Sequence, residues 1–223
     1  MSSQTLKGRV TLVTGASRGI GYQSAIALAK AGSHVIATAR TQGGLEDLDD
    51  AIQSFGGECT LVPMDLKNLD GIDQLGKVIH DRWGKLDGLL ANAGTLGEIT
   101  LASHTVPKKW DEIIAVNLTS NYRLIRSLDT LLKASKSGRA LFLTSSVAKS
   151  HPAYWGAYAA SKAALEAFVS CYAKEVEITR VIAKEFYDVL QDRAESDIII
   201  IGAGPAGLFA ALRCCLLKTS SNN

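Results

Sequence analysis

Tyr158 and Lys162 stand four residues apart in a stretch of helical pattern, 157–174, so both lie on one face a single turn apart. Such a pair is suited to moving a proton. A free tyrosine, with a pKa of about 10, is a poor base near neutrality. An ammonium one turn away favours the tyrosinate and lowers that pKa, so that the hydroxyl can both give and take a proton. Reduction of a carbonyl by hydride needs a proton at the new alkoxide, and oxidation of an alcohol needs the reverse. Alone the pair is a weak signal, because tyrosine and lysine meet at this spacing on many helix surfaces.

A second constellation lies near the start. Thr14-Gly15-Ala16-Ser17-Arg18-Gly19-Ile20-Gly21 ends an apolar strand and opens an amphipathic helix. Glycines there let the chain turn tightly and let a pyrophosphate approach backbone amides at the positive end of the helix. The following strand ends Ala39-Arg40-Thr41 and carries no acidic residue to accept the ribose hydroxyls of NAD. Arg40, together with Arg18 in the loop, suits a 2′-phosphate instead. NADP is therefore the expected cofactor, with NAD the alternative dinucleotide. Asp65, with Leu66 beside it, ends the third strand where an adenine amine would be met. Asp65 suits a helix N-cap nearly as well.

These residues need a scaffold. Strand patterns at 10–14, 34–39, 59–63, 88–91 and 140–144 alternate with helical patterns at 20–31, 44–55, 69–82, 108–133 and 157–174. Short apolar strands separated by helices predict an α/β fold, a doubly wound parallel sheet of Rossmann type. Ligands of such sheets bind beyond the carboxyl ends of the strands, where the glycine loop, Arg40 and Asp65 all fall. At 223 residues the chain has room for a sizeable core. Its net charge of +2 and lack of basic runs argue against nucleic acid and membrane surfaces. No signal-like or membrane-length apolar segment is seen, and the four cysteines form no metal or Cys-x-x-Cys spacing, which fits a reducing cytoplasm. The four histidines are scattered, and no metal is expected.

Taken together, Thr14-Gly15-x-x-x-Gly19-x-Gly21, Asn92-Ala93-Gly94, Asn117, Ser145 and Tyr158-x-x-x-Lys162 resemble the short-chain dehydrogenase/reductase family over residues 6–175. The resemblance implies an oxidoreductase acting on a small carbonyl or secondary alcohol. It assigns Tyr158 as proton donor or acceptor, counts Tyr158 and Lys162 among the cofactor-binding residues, and gives Lys162 the nicotinamide ribose to hold. It assigns Ser145 as the hydrogen-bond donor to the substrate oxygen, and Asn117 as the holder of a water in the proton relay. Gly15, Ser17, Arg18, Gly19, Ile20 and Gly21 would cradle the cofactor, with Asn92, Ala93 and Gly94 lining its site. Ser145 lies 13 residues before Tyr158, the commoner family spacing; Ser146, at 12, is the alternative. A homo-oligomer built on the helix from 108 and the catalytic helix is also implied.

Beyond residue 175 the pattern changes, and the chain divides into 1–175, the dinucleotide-binding core, and an atypical, truncated part, 176–223. Residues 175–193 are charged, with an amphipathic helical stripe at Ile178, Val181, Ile182, Phe186, Val189 and Leu190. A β-branched strand at 197–201 follows, then Gly202-Ala203-Gly204-Pro205-Ala206-Gly207 and a short helix. This segment resembles the strand-turn-helix of FAD-binding enzymes and, more loosely, the N-terminus of thiazole-biosynthesis flavoproteins. The acidic residue expected about 20 positions further on does not occur, so FAD binding is not expected. Nor does the Pro-Gly turn with which family members contact the nicotinamide. Impaired turnover is therefore expected, and the alternative is an inactive fusion remnant or interaction protein that keeps a nucleotide-binding core. The strand at 197–201 could fill the slot beside the fifth strand, with the stripe near the catalytic helix.

Overall fold

Strand and helix alternate along the chain because apolar runs bounded by glycine and polar turns alternate with amphipathic stretches. A computed structural model, which describes residues 5–176, 181–184 and 198–202, brings the strands into one parallel sheet. The strands are β1 (Val10–Thr14), β2 (His34–Ala39), β3 (Cys59–Pro63), β4 (Gly88–Ala91), β5 (Arg139–Thr144), β6 (Val181–Lys184) and β7 (Ile198–Gly202), in the order β3-β2-β1-β4-β5-β7-β6. The helices are α1 (Gly19–Lys30), α2 (Gln42–Gln53), α3 (Leu69–Trp83), α4 (Pro107–Ile114), α5 (Ser120–Ala134), α6 (Val147–Ser150) and α7 (Gly156–Glu175).

Successive strand side chains point to opposite faces, and the core divides accordingly. Leu12, Leu89 and Phe142 pack with α3, α5 and α7, whereas their neighbours Val13, Leu90 and Leu141 pack with α1 and α2. This is the Rossmann-type arrangement, helices on both faces of a parallel sheet, that the alternation of patterns predicts. Asp87 ties its centre together. Its carboxylate accepts from Val10 N at 2.9 Å and from the Ser135 hydroxyl at 2.6 Å, and it pairs with Lys85. Burial pushes its pKa up, but these hydrogen bonds and the lysine outweigh burial and leave it below the ordinary carboxylate value.

Two stretches depart from the sequence reading. The helix expected over 108–133 is α4, then a π-helical turn at Ala115–Thr119, then α5. The extra residue in that turn draws Asn117 inward, where it is fully buried. The helix expected over 175–193 is not continuous, because Val181–Lys184 is a strand beside β7. Val181 and Ile182 are β-branched and lose more on entering a helix than on entering a sheet. β7 itself lies parallel to β5, with Ala140 opposite Ile198 and Thr144 opposite Gly202. Most of the FAD-like segment, including 203–223, lies outside the described residues.

Candidate active site

β1 delivers the chain to Gly15, whose φ of +67° is left-handed and favours glycine. A Cβ at Gly15 would come within 2.9 Å of the Ala93 Cα, and one at Gly21 would collide with the Gly15 carbonyl and the Asn92 amide. These two glycines therefore let the loop, α1 and the end of β4 close on one another. Asn92 fastens that junction. Its Nδ2 donates to the carbonyls of Thr14 (2.8 Å) and Gly15 (3.2 Å), while Thr14 Oγ1 accepts from the amides of Asn92 (3.1 Å) and Ala93 (3.0 Å). Asn92 thus supports the glycine loop from beneath. Thr14, at the strand end and first in the glycine motif, is the partner whose bonding role the sequence did not disclose.

Over this junction lies a cleft of ≈ 700 Å³ at the carboxyl ends of β1 to β4. Gly15, Ser17, Arg18, Gly19, Ile20, Arg40, Asp65, Leu66, Asn92, Ala93 and Gly94 all line it, while Gly21 does not and packs against Gly15 and Asn92. α1 opens at Gly19 with no side-chain cap and no acidic residue in its first turn, which leaves amides at its positive end for an anion. Arg18 and Arg40 are exposed and have no protein partner among the described residues. Thr38 Oγ1, on the cleft wall, is buried and unpaired. Unspent amides, two free guanidiniums and an unpaired hydroxyl fit a dinucleotide that bears an additional phosphate. Of the two readings of Asp65, the helix cap falls away. Asn68 caps α3 by accepting from Gly71 N at 3.0 Å, while Asp65 accepts from Lys67 N at 3.0 Å and stays at the cleft edge. The sequence reading also missed Glu112, which lines the cleft and pairs with Lys67.

At Gly94 the cleft meets a second, buried corner. A Cβ on Gly94 would sit 3.3 Å from Asn117 Oδ1 and 3.5 Å from Lys162 Nζ. Asn117 Oδ1 accepts from Thr95 N (2.8 Å), and its Nδ2 donates to Thr95 O and Ser161 Oγ, both at 2.9 Å. Ser161 Oγ in turn donates to Tyr158 O at 2.7 Å, and Asn121 Nδ2 donates to Asn117 O at 2.9 Å. The Asn117 side chain therefore clamps the Thr95 turn against α7, using its own polar atoms to do so. Ser161 and Asn121 were not singled out from sequence. The one legible signal for Asn121 is its place one helical turn after Asn117.

Ser145, just past β5, is 8% exposed and hydrogen-bonded to Tyr158, whereas Ser146 is exposed at the start of α6. Lys162 is 3% exposed, and its Nζ donates to the Leu143 carbonyl at 2.7 Å. Burial pushes the Lys162 pKa down to about 8, with the charge of Glu166 opposing part of that. The Tyr158 pKa is raised by burial, against the hydrogen bond from Ser145. The expected lowering of the tyrosine pKa by Lys162 is thus absent. The ammonium is turned to Leu143 and lies 5.9 Å from the centre of the Tyr158 ring. Among the described residues no group of side chains could hold a metal ion, and no helix is long and apolar enough to cross a membrane.

The sequence model of the short chain dehydrogenase family matches residues 9–187. The chain is 36% identical over 176 residues to the fatty acyl-CoA reductase of Acinetobacter baylyi, covering 78% of this chain and 59% of that protein. It is 35% identical over 175 residues to the oxidoreductase YciK of Escherichia coli K12, covering 77% of this chain and 69% of YciK. Among solved structures, a metagenomic short-chain oxidoreductase in complex with NADP superimposes with a TM-score of 0.82 at 28% identity, over 98% of this chain and 94% of that one.

Proposed function

From the premise that this chain belongs to the short chain dehydrogenase family, we propose that it transfers hydride between NADP(H) and a carbonyl or secondary alcohol of a small molecule. The observation that carries this reading is the junction at Gly94. There Gly94, on the cleft wall, stands against the buried side chains of Asn117 and Lys162, on the turn and the helix that position Tyr158. When bound, the nicotinamide supplies or takes the hydride. Every other step falls to the chain's own residues. Ser145 donates to the substrate oxygen and stabilises the charge that develops there. Tyr158, protonated near neutrality as any tyrosine is and held so by burial, which raises its pKa, gives its proton to that oxygen in the reducing direction. Lys162 holds the ribose by its charge, Asn117 keeps the Thr95 turn in place and serves the proton relay, and Arg18 and Arg40 select the 2′-phosphate. Asp65 and Leu66 border the adenine.

We place the reaction in the cytoplasm and expect a homo-oligomer. A second reading, a nucleotide-binding protein with little or no turnover, is favoured by one feature. The strand beside β5 runs into Gly202-Ala203-Gly204-Pro205 and not into a Pro-Gly turn. On this view residues 176–223 are an imported fragment of FAD-binding type that does not bind FAD. Titration with NADPH and NADH, followed by fluorescence and thermal shift, separates the readings. NADPH binding with reduction of at least one ketone or aldehyde from a panel establishes the first. Binding without turnover establishes the second, and binding of neither nucleotide sinks both.

A further inference from the structure

Glu166 plays no part in the sequence motif, yet it stands at the seam between the two elements that carry the reacting groups. It lies one helical turn beyond Lys162 on α7, so the two share a face. Its Oε1 accepts a 2.6 Å hydrogen bond from Thr144 Oγ1, the last residue of β5 and the neighbour of Ser145. Lys162 reaches back to the same strand, to the Leu143 carbonyl at 2.7 Å. Leu143 and Thr144 of one strand thus receive Lys162 and Glu166 of one helix, side by side. Thr144 is itself buried at 5% exposure.

We propose that Glu166 is a positioning residue for the reaction: held by Thr144, it is the counter-charge that keeps the buried Lys162 ammonium ionised, and it locks the Ser145 end of β5 to α7. This inference rests on the reading of Lys162 as a working residue of the site. A lysine 3% exposed loses most of its hydration, and such a group sheds its proton unless a partner stabilises the charge. Among the described residues, the charges and polar groups that face Lys162 come from three sides. Tyr158 and Glu166 come from α7, the Leu143 carbonyl from β5, and Asn117 and Gly94 from the cleft side. Glu166 is the carboxylate that acts on it, opposing the downward push of burial. Thr144 matters because an unheld glutamate could swing to solvent, where its charge is screened.

The test reads Lys162 directly. The whole 223-residue chain carrying ¹³C-labelled lysine is titrated by NMR, with Lys162→Ala assigning the resonance. In the unaltered chain the Lys162 midpoint is expected at about pH 8. In Glu166→Gln it falls by about one pH unit, in line with the loss of an opposite charge nearby. Thr144→Val keeps the charge but frees it and produces a smaller fall, and Glu166→Asp recovers part of the original midpoint. NADPH affinity at pH 7.5 follows the protonated fraction, dropping several-fold in Glu166→Gln. An unmoved midpoint in a Glu166→Gln protein that melts cooperatively overturns the proposal. If Glu166→Gln does not fold, an unmoved midpoint in Thr144→Val overturns it equally. A shifted midpoint with no NADPH binding by the unaltered protein would leave Glu166 in its role but remove the proposed function on which that role was to act.

Discussion

The adenosine end of the cleft and the corner around Lys162 treat their polar groups in opposite ways. At the cleft mouth Arg18 and Arg40 are exposed without partners among the described residues, and α1 begins without a side-chain cap. In the corner Asn117 uses its side chain on Thr95 and Ser161, and Lys162 is bonded to Leu143. Unspent donors make a surface whose bonds wait for a ligand, so affinity there comes from new contacts. Spent donors make a rigid frame, and rigidity is what a reacting geometry needs. The same division says which substitutions should damage binding and which should damage chemistry.

The largest effect is expected at the corner. Tyr158→Phe removes the proton that reduction requires, and turnover should fall by about 10²- to 10⁴-fold. The fold and NADPH affinity should stay within a few-fold of the original, because the ring is kept and Tyr158 is not among the residues that line the cleft. Steady-state rates measured beside an NADPH titration check both halves. A Tyr158→Phe protein that keeps its rate would remove the chemistry from this corner and with it half of the contrast.

Next comes the junction under the cleft. Gly21→Ala places a methyl against the Gly15 carbonyl and the Asn92 amide, and backbone on both sides must shift. Overpacking of this kind costs about 1–3 kcal/mol, and the displaced loop should weaken NADPH binding by roughly tenfold or more on the same scale. Thermal melting and nucleotide titration would show the two losses together. Unchanged melting and binding would mean the loop is looser than the packing around Gly21 implies.

Arg40→Ala should be milder and selective. Loss of a charge-assisted bond to a 2′-phosphate should weaken NADPH by about tenfold, while NADH affinity stays the same. A parallel loss for both nucleotides would assign Arg40 to general attraction and not to discrimination.

How much of this was legible follows the same line. The strands at 34–39 and 59–63 were readable because apolar runs bounded by glycine or polar turns declare themselves locally, and the structure returns those bounds. Arg18 and Arg40 could be named by type and position, and both line the cleft. What escaped depends on partners distant in sequence. The Asn92 side chain looked like a cleft wall until Thr14, 78 positions away, received it. The π-helical turn at Ala115–Thr119 carries the residue that meets Thr95 and Ser161, and no periodicity in 108–133 announces that. The direction of Lys162 was misread for the same reason, because spacing on a helix identifies a shared face but not the Leu143 carbonyl beyond it.

That misreading leads to the smallest effect, and the one that separates the two titrating groups. Burial lowers Lys162 to about 8 and raises Tyr158 above its ordinary value. In the reducing direction both groups work in their protonated forms, Tyr158 as donor and Lys162 as cation. As pH rises, Lys162 is the first to lose its proton, so kcat/KM should be level near neutrality and fall above about pH 8. The slope should approach a factor of ten per pH unit, as for a single proton. Tyr158, raised by burial, would impose its own limb only above the ordinary tyrosine range, beyond the point where lysine has already failed. Had the ammonium lowered the tyrosine pKa, as spacing suggested, the limb near neutrality would belong to the phenol and would vanish in Tyr158→Phe. With the lysine responsible, NADPH affinity itself must decline across the same interval, and it must do so in Tyr158→Phe as well. A limb in kcat/KM near pH 8 with a flat binding profile would return the titration to the tyrosine.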